Sequence, residues 1–198
     1  MTFTAAFIEE AVAVLQRVDQ GAVEECASGL AAVRPRGGRL FVLGVGGSAG
    51  HSSHAVNDFR KLCDLEAYAP TDNVSELTAR INDEGWETAF AAWLRGSRLD
   101  QRDGLLVFSV GGGDRARGIS TNLVAAMELA REEGASIFAI VGRHGGFAAE
   151  VADASVVIPP LYPEHVTPLT EGLCAVVWHL LVSHPSLARS PTKWESTR

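Results

Sequence analysis

The stretch Leu40-Phe41-Val42-Leu43-Gly44-Val45-Gly46-Gly47-Ser48-Ala49-Gly50 decides the fold. The unbroken apolar run Leu40–Val45 has no polar alternation, which describes a strand buried on both faces. The glycines behind it permit a tight turn, and a helix is predicted from about Ser48. Downstream the same alternation repeats. Leu105–Val110, Ser136–Val141 and Ala154–Ile158 are runs of strand length, with a weaker one near Tyr68. Helix-like segments lie between them at Asn122–Glu133 and Gly146–Val151. A last helix is predicted from Pro168 to about Ser183, with Thr167 as N-cap and Pro185 just past the end. The pattern describes a three-layer α/β sandwich around a five-stranded parallel sheet.

Upstream, Phe7, Ile8, Ala11, Val12, Leu15 and Val18 recur at helical spacing, less clearly towards Val33, until Pro35, Gly37 and Gly38 stop the pattern. The expected organisation is one domain, with an extra N-terminal helical segment (1–36), an α/β core (37–185) and a tail (186–198), polar and frayed from Ser190. The first helix stands outside the α/β alternation and is a candidate to pack between subunits.

The chain has 198 residues, 17 Lys+Arg and 24 Asp+Glu, for a net charge of −7. Without a basic cluster it has no electrostatic footprint for nucleic acid or an anionic membrane. Its longest apolar runs are too short to span a bilayer, and acidic Glu9 and Glu10 near the start do not suit a secretory leader. Three cysteines, Cys26, Cys63 and Cys174, without CxxC spacing argue against a disulfide framework or a thiolate metal site. They read as small buried residues in a reducing cytoplasm.

In such folds a ligand sits at the carboxyl ends of the strands, so the segments after Val45, Ser109 and Val141 are the ones to inspect. The Gly44–Gly50 turn lacks the Lys-Ser/Thr of a nucleotide-hydrolysing loop. Gly44, Gly46 and Ala49 satisfy a loose dinucleotide fingerprint, with Asp64 or Glu66 roughly 20 residues on; a turn serving only helix–strand packing is the plainer alternative. His54 and Asp58 lie four apart, one helical turn on one face, with His51 nearby. Glu171 and His179 lie eight apart on the otherwise apolar last helix. Finally, Ser109–Asn122 offers three glycines, hydroxyls and two arginines ahead of a helix, a composition suited to an anion or to a solvated loop.

Taken together, Gly44–Lys61 (GVGGSAGHSSHAVNDFRK) and Asn73–Trp86 (NVSELTARINDEGW) resemble the sugar-isomerase (SIS) domain of bacterial phosphoheptose isomerases. Leu105–Gly134, the Val141–Gly146 turn and the helix Thr167–His184 extend the similarity over nearly the whole chain. The resemblance implies a flavodoxin-like SIS fold and a cytoplasmic homotetramer with sites at subunit contacts. It also implies a zinc ion and no nucleotide cofactor. The implied reaction is isomerisation of sedoheptulose 7-phosphate to a D-glycero-heptose 7-phosphate, manno-type, the first step towards nucleotide-activated heptoses. Carried over by position, Asp58 and His179 are the implied acid/base pair, and His54, Asp58, Glu171 and His179 the implied metal ligands. Val45, Gly46, Gly47, Ser48, Asn82, Asp83 and Glu171 fall on sugar-contacting positions, and Ser109, Val110, Gly111 and Ser120 on the phosphate loop.

The departures from the family pattern are specific. Val45 replaces an asparagine, Asp58 a glutamate and Glu171 a glutamine. The phosphate loop is several residues longer, and Val110 and Gly111 stand where hydroxyls are expected. Arg115 and Arg117 are candidates to replace those hydroxyls on a phosphate. The implied chemistry passes through an enediol, with a proton moved between C1 and C2. One geometric restriction comes from the helix: eight residues advance about 12 Å along the axis, so Glu171 and His179 share an ion only if both reach towards it or the helix bends. Two other classes stay open, a non-catalytic SIS module that senses or scaffolds on a sugar phosphate, and a dinucleotide-dependent oxidoreductase.

Overall fold

A computed structural model describes residues 1–191; the expected polar tail lies outside the described residues from 192 onwards. Five strands form one parallel sheet: β1 (Leu40–Gly44), β2 (Ala67–Tyr68), β3 (Gly104–Ser109), β4 (Ser136–Val141) and β5 (Ala154–Val157). Their order is β2-β1-β3-β4-β5, so the topology reverses between β1 and β3. Every strand expected from the sequence is present within a residue or two.

Strand periodicity sorts the core into two layers. Leu40 and Val42 of β1, with Leu106 and Phe108 of β3, face α2 (Gln20–Val33), α3 (Gly47–Cys63) and α8 (Val166–Ser183). Phe41 and Leu43, with Leu105 and Val107, face α5 (Ala89–Gly96), α6 (Thr121–Glu132) and α7 (Gly146–Val151). This is the predicted three-layer sandwich. Burial pushes the thiols of Cys26 and Cys174 up to about 12 and that of Cys63 to about 11, so all three are inert packing groups.

The structure departs from the sequence reading in three places. The N-terminal pattern is two helices, α1 (Phe3–Leu15) and α2, because Asp19 caps the second by accepting from Gly21 and Ala22 N–H. The last helix starts at Val166, so Thr167 lies inside it; Pro168 still falls in the first turn, where its missing N–H has no intrahelical partner to lose. Two helices had no place in the strand–helix alternation, α4 (Val74–Glu84) and α5. No residue of α4 is buried, so its sequence carries little core signal.

The stretch Pro163–Ser183 is long and apolar enough to cross a bilayer. Its Leu173, Val177, Trp178 and Leu181 are buried against the sheet layer, which makes it a core helix.

Candidate active site

Two helices of one layer build the site. α3 buries Ala55, Val56 and Phe59, and α8 buries Leu173, Cys174, Val177 and Trp178 in the same core. The polar positions left over on both helices meet along the outer margin of that seam. There Asp58 Oδ2 lies 3.8 Å from His54 Nε2 and 3.8 Å from His179 Nε2. The His54 and His179 side chains are 57% and 49% exposed and Asp58 only 14%, so the carboxylate forms the floor of an open notch.

The notch is held from behind. Asn57 Nδ2 donates to Asp58 Oδ1 at 2.8 Å, which leaves Oδ2 to face the imidazoles. His179 Nδ1 donates to the Ala175 carbonyl at 2.7 Å, which turns Nε2 towards the notch. Trp178 is fully buried beneath both rings, stacked on His179 at 3.5 Å and edge-on to His54 at 4.8 Å between centroids. Such partners fix the orientation of a metal ligand or an acid/base group.

The sequence reading missed Asn57 and Trp178. Each is next in sequence to a residue it supports, and that adjacency is the only signal they gave.

The donor set fits a divalent cation. Among the described residues, ligand atoms of His54, Asp58 and His179 all lie within 4.8 Å of one another. Two imidazoles and one carboxylate, with an open side towards solvent, match the donor chemistry of a catalytic zinc site. Glu171 does not belong to this group. Its carboxylate lies beside Gly47, where an added Cβ would come within 2.8 Å of Oε1. Eight residues along α8 from His179, it does not reach towards the same point.

The glycine turn is therefore a second end of the site, two to three turns away along α3. Gly46 caps α3 with φ +63°, no side-chain hydrogen bond caps the helix start, and the Glu171 carboxylate lies beside its first turn. Ser48 is buried in that first turn and Val45 is half-buried behind it. Across the switch point, Ser109 accepts from Gly112 N–H at 3.0 Å, and Ser120 sits at the start of α6 with φ +50°. Val110 and Gly111 lie between them with only backbone groups to offer a phosphate.

The remaining candidates are placed elsewhere. Asn82 and Asp83 are exposed on the last turn of α4, bonded to each other at 2.7 Å. The extra loop residues form a small hairpin closed by Asp114 and Ile119, each bonding the other's backbone at 2.9 Å. At its tip Arg115 pairs with Glu128 and lies 5.3 Å over the Phe147 ring, while Arg117 pairs with Asp114 at 3.5 Å.

The SIS domain family matches residues 6–142. The phosphoheptose isomerase of Rhodospirillum rubrum is 31% identical over 165 residues, 81% of this chain and 82% of that one. The chain belongs to the SIS-domain phosphoheptose isomerase family. It is thus a sugar-phosphate isomerase by family. Lincomycin biosynthesis protein LmbN of Streptomyces lincolnensis is 35% identical over 159 residues, 75% of this chain; the match spans 56% of LmbN's length. Phosphoheptose isomerase GmhA from Neisseria gonorrhoeae has the same fold, with a TM-score of 0.78 over 91% of this chain and 96% of that one at 24% identity.

Proposed function

We propose that this isomerase converts sedoheptulose 7-phosphate to a D-glycero-heptose 7-phosphate of manno type through an enediol, as a first step towards nucleotide-activated heptoses. The observation that carries the reading is the His54–Asp58–His179 notch, two imidazole nitrogens held 3.8 Å from one carboxylate oxygen. An aldose–ketose exchange needs a base at the C1/C2 carbons and a partner for the hydroxyl protons. Asp58 and His179 are that pair. Asn57 and the Ala175 carbonyl keep their working atoms pointed into the notch.

His54, Asp58 and His179 would hold zinc, which when bound polarises the substrate's carbonyl oxygen. Glu171, beside Gly47, accepts from the hydroxyls of the middle of the sugar. The start of α3 (Gly46, Gly47, Ser48), with Ser109 and Ser120 across the switch point, receives the distal phosphate. Fixing the far end in this way holds the reacting carbons at Asp58. Two to three turns of helix, about 11 Å to His54 and about 16 Å to Asp58, separate the start of α3 from the notch, a span suited to an open-chain sugar phosphate longer than a triose.

A homotetramer with sites at subunit contacts follows the same reading. Phe3, Ile8, Val12 and Leu15 on α1, with Val176 and Leu180 beside His179 on α8, are exposed apolar residues. The exposure of Asn82 and Asp83 on α4 supports their meeting a second copy. We place the enzyme in the cytoplasm, consistent with its reduced, buried cysteines.

The test is NMR of purified protein with sedoheptulose 7-phosphate, with and without zinc and with a chelator. A new aldoheptose 7-phosphate anomeric signal, lost in Asp58→Asn, supports the reaction and identifies the epimer. Binding without any new signal, zinc present, would overturn it in favour of a sensing module.

A further inference from the structure

Beyond the substrate cradle, β3, β4 and β5 end around a second groove of about 490 Å³. Its polar lining is basic: Arg117 from the hairpin, and Arg143 with His144 from the turn after β4. Asp114 is the one carboxylate among its described lining residues, and Pro160 and Pro163 form an apolar wall. In a chain of net charge −7, two arginines against one aspartate give this concavity a net positive lining.

The groove is built on a stiff base. Gly112 and Gly146 pack backbone against backbone, so that a Cβ on Gly112 would overlap the Gly145 carbonyl and one on Gly146 that of Gly111. Gly112 and Gly113 carbonyls also accept from the N–H groups of Ala148 and Phe147 at 2.9 Å each. The two loops therefore hold their side chains at a fixed separation. Arg143 itself is held at φ +53°, a strained conformation for a residue with a Cβ and one that concentrates at ligand sites.

The basic groups are only lightly engaged. Arg143 and His144 are exposed and make no hydrogen bond or ion pair with described residues. Arg117 is 79% exposed, its one ion pair among the described residues a 3.5 Å contact to Asp114. Two guanidiniums offer the planar, multi-donor geometry that suits a phosphoryl group.

We propose that this groove is a second phosphoryl-binding subsite, taking a phosphorylated small metabolite separately from the cradle at the α3 start, Ser109 and Ser120. The lengthened loop is what supplies it, since Arg117 rides on the inserted hairpin. The proposal concerns binding and stands whether or not the isomerisation assigned above is found.

The experiment is a titration of the full-length protein with inorganic phosphate, read from backbone amide NMR spectra. Two groups of shifts with separate affinities are expected, one at Arg143–Gly146 and one at Gly46–Ala49 with Ser120–Leu123. Arg117→Gln combined with Arg143→Gln should weaken the first at least tenfold and leave the second in place. Both residues are exposed, and unchanged spectra elsewhere confirm that the variant folds. Sedoheptulose 7-phosphate should displace phosphate from the second group only. A single group of shifts, an unaffected double variant, or displacement from both groups by the sugar phosphate would overturn the proposal.

Discussion

Asp103 and Asp58 both face basic side chains, and their surroundings put them to opposite uses. Asp103, at the start of β3, is 1% exposed, and both its oxygens are taken. It accepts from Arg39 N–H and Nε, from Arg39 Nη2 at 2.7 Å and from Asp100 N–H. The Arg39 guanidinium is used up in turn by the Ser97 and Arg98 carbonyls. Asp58, in the α3–α8 seam, has one oxygen bonded and the other facing two imidazoles at 3.8 Å, beyond hydrogen-bond reach. A satisfied carboxylate pins the strands β1 and β3 together. An oriented but unsatisfied one leaves space for a cation or a proton.

Asp58→Asn keeps the shape of the notch and removes its base. Turnover of the sugar phosphate should fall by about 10³-fold or more with binding retained; a loss under tenfold would remove Asp58 from the mechanism. His54→Ala takes away one nitrogen donor. Zinc affinity, read by competition with a chromogenic chelator, should drop beyond the roughly 10–100-fold typical of losing a residue that merely orients a ligand. Unaltered zinc binding would dissolve the proposed metal group.

The satisfied aspartate should respond in stability alone. Arg39→Ala leaves Asp103 buried with two backbone donors but no counter-charge, and urea unfolding should show a loss of about 3 kcal/mol. Unchanged turnover in the folded variant would complete the contrast. The smallest effect belongs to Asp100, whose carboxyl the Arg102 guanidinium holds down to about 2 from an ordinary 3.8. Its folded value is the lower one, so its contribution is present above pH 4 and fades as pH falls towards 2. The pair is solvent-exposed, so Arg102→Ala should barely move Tm at pH 7 and should slightly flatten the acid limb.

The sequence made the sheet legible because strands buried on both faces write unbroken apolar runs, as Leu40–Val45 and Ser136–Val141 do. It hid the break between α1 and α2, where apolar residues continue at helical spacing and only Asp19 interrupts the backbone. It hid α4, which has no fully buried residue and meets the core only through half-buried positions such as Leu77. At the site, His54 and Asp58 were readable as a one-turn pair, whereas their meeting with His179 depends on how α8 lies across the same layer as α3. Glu171 shares a helix with His179 but not its location, since axial rise outweighs face. Arg115 shows the limit of composition: its charge suggests a phosphate, and the fold spends it on Glu128 and Phe147.

The central claim is that the α3–α8 notch moves a proton between adjacent sugar carbons. The most direct measurement is the reaction in D₂O, with mass spectrometry of the recovered sugar phosphates. Because both imidazoles border solvent, deuterium should enter at C1 or C2 during turnover and be absent when Asp58→Asn protein is used. Turnover with no deuterium gained would mean direct hydride transfer between the carbons and would contradict the assignment of Asp58 and His179 as an acid/base pair.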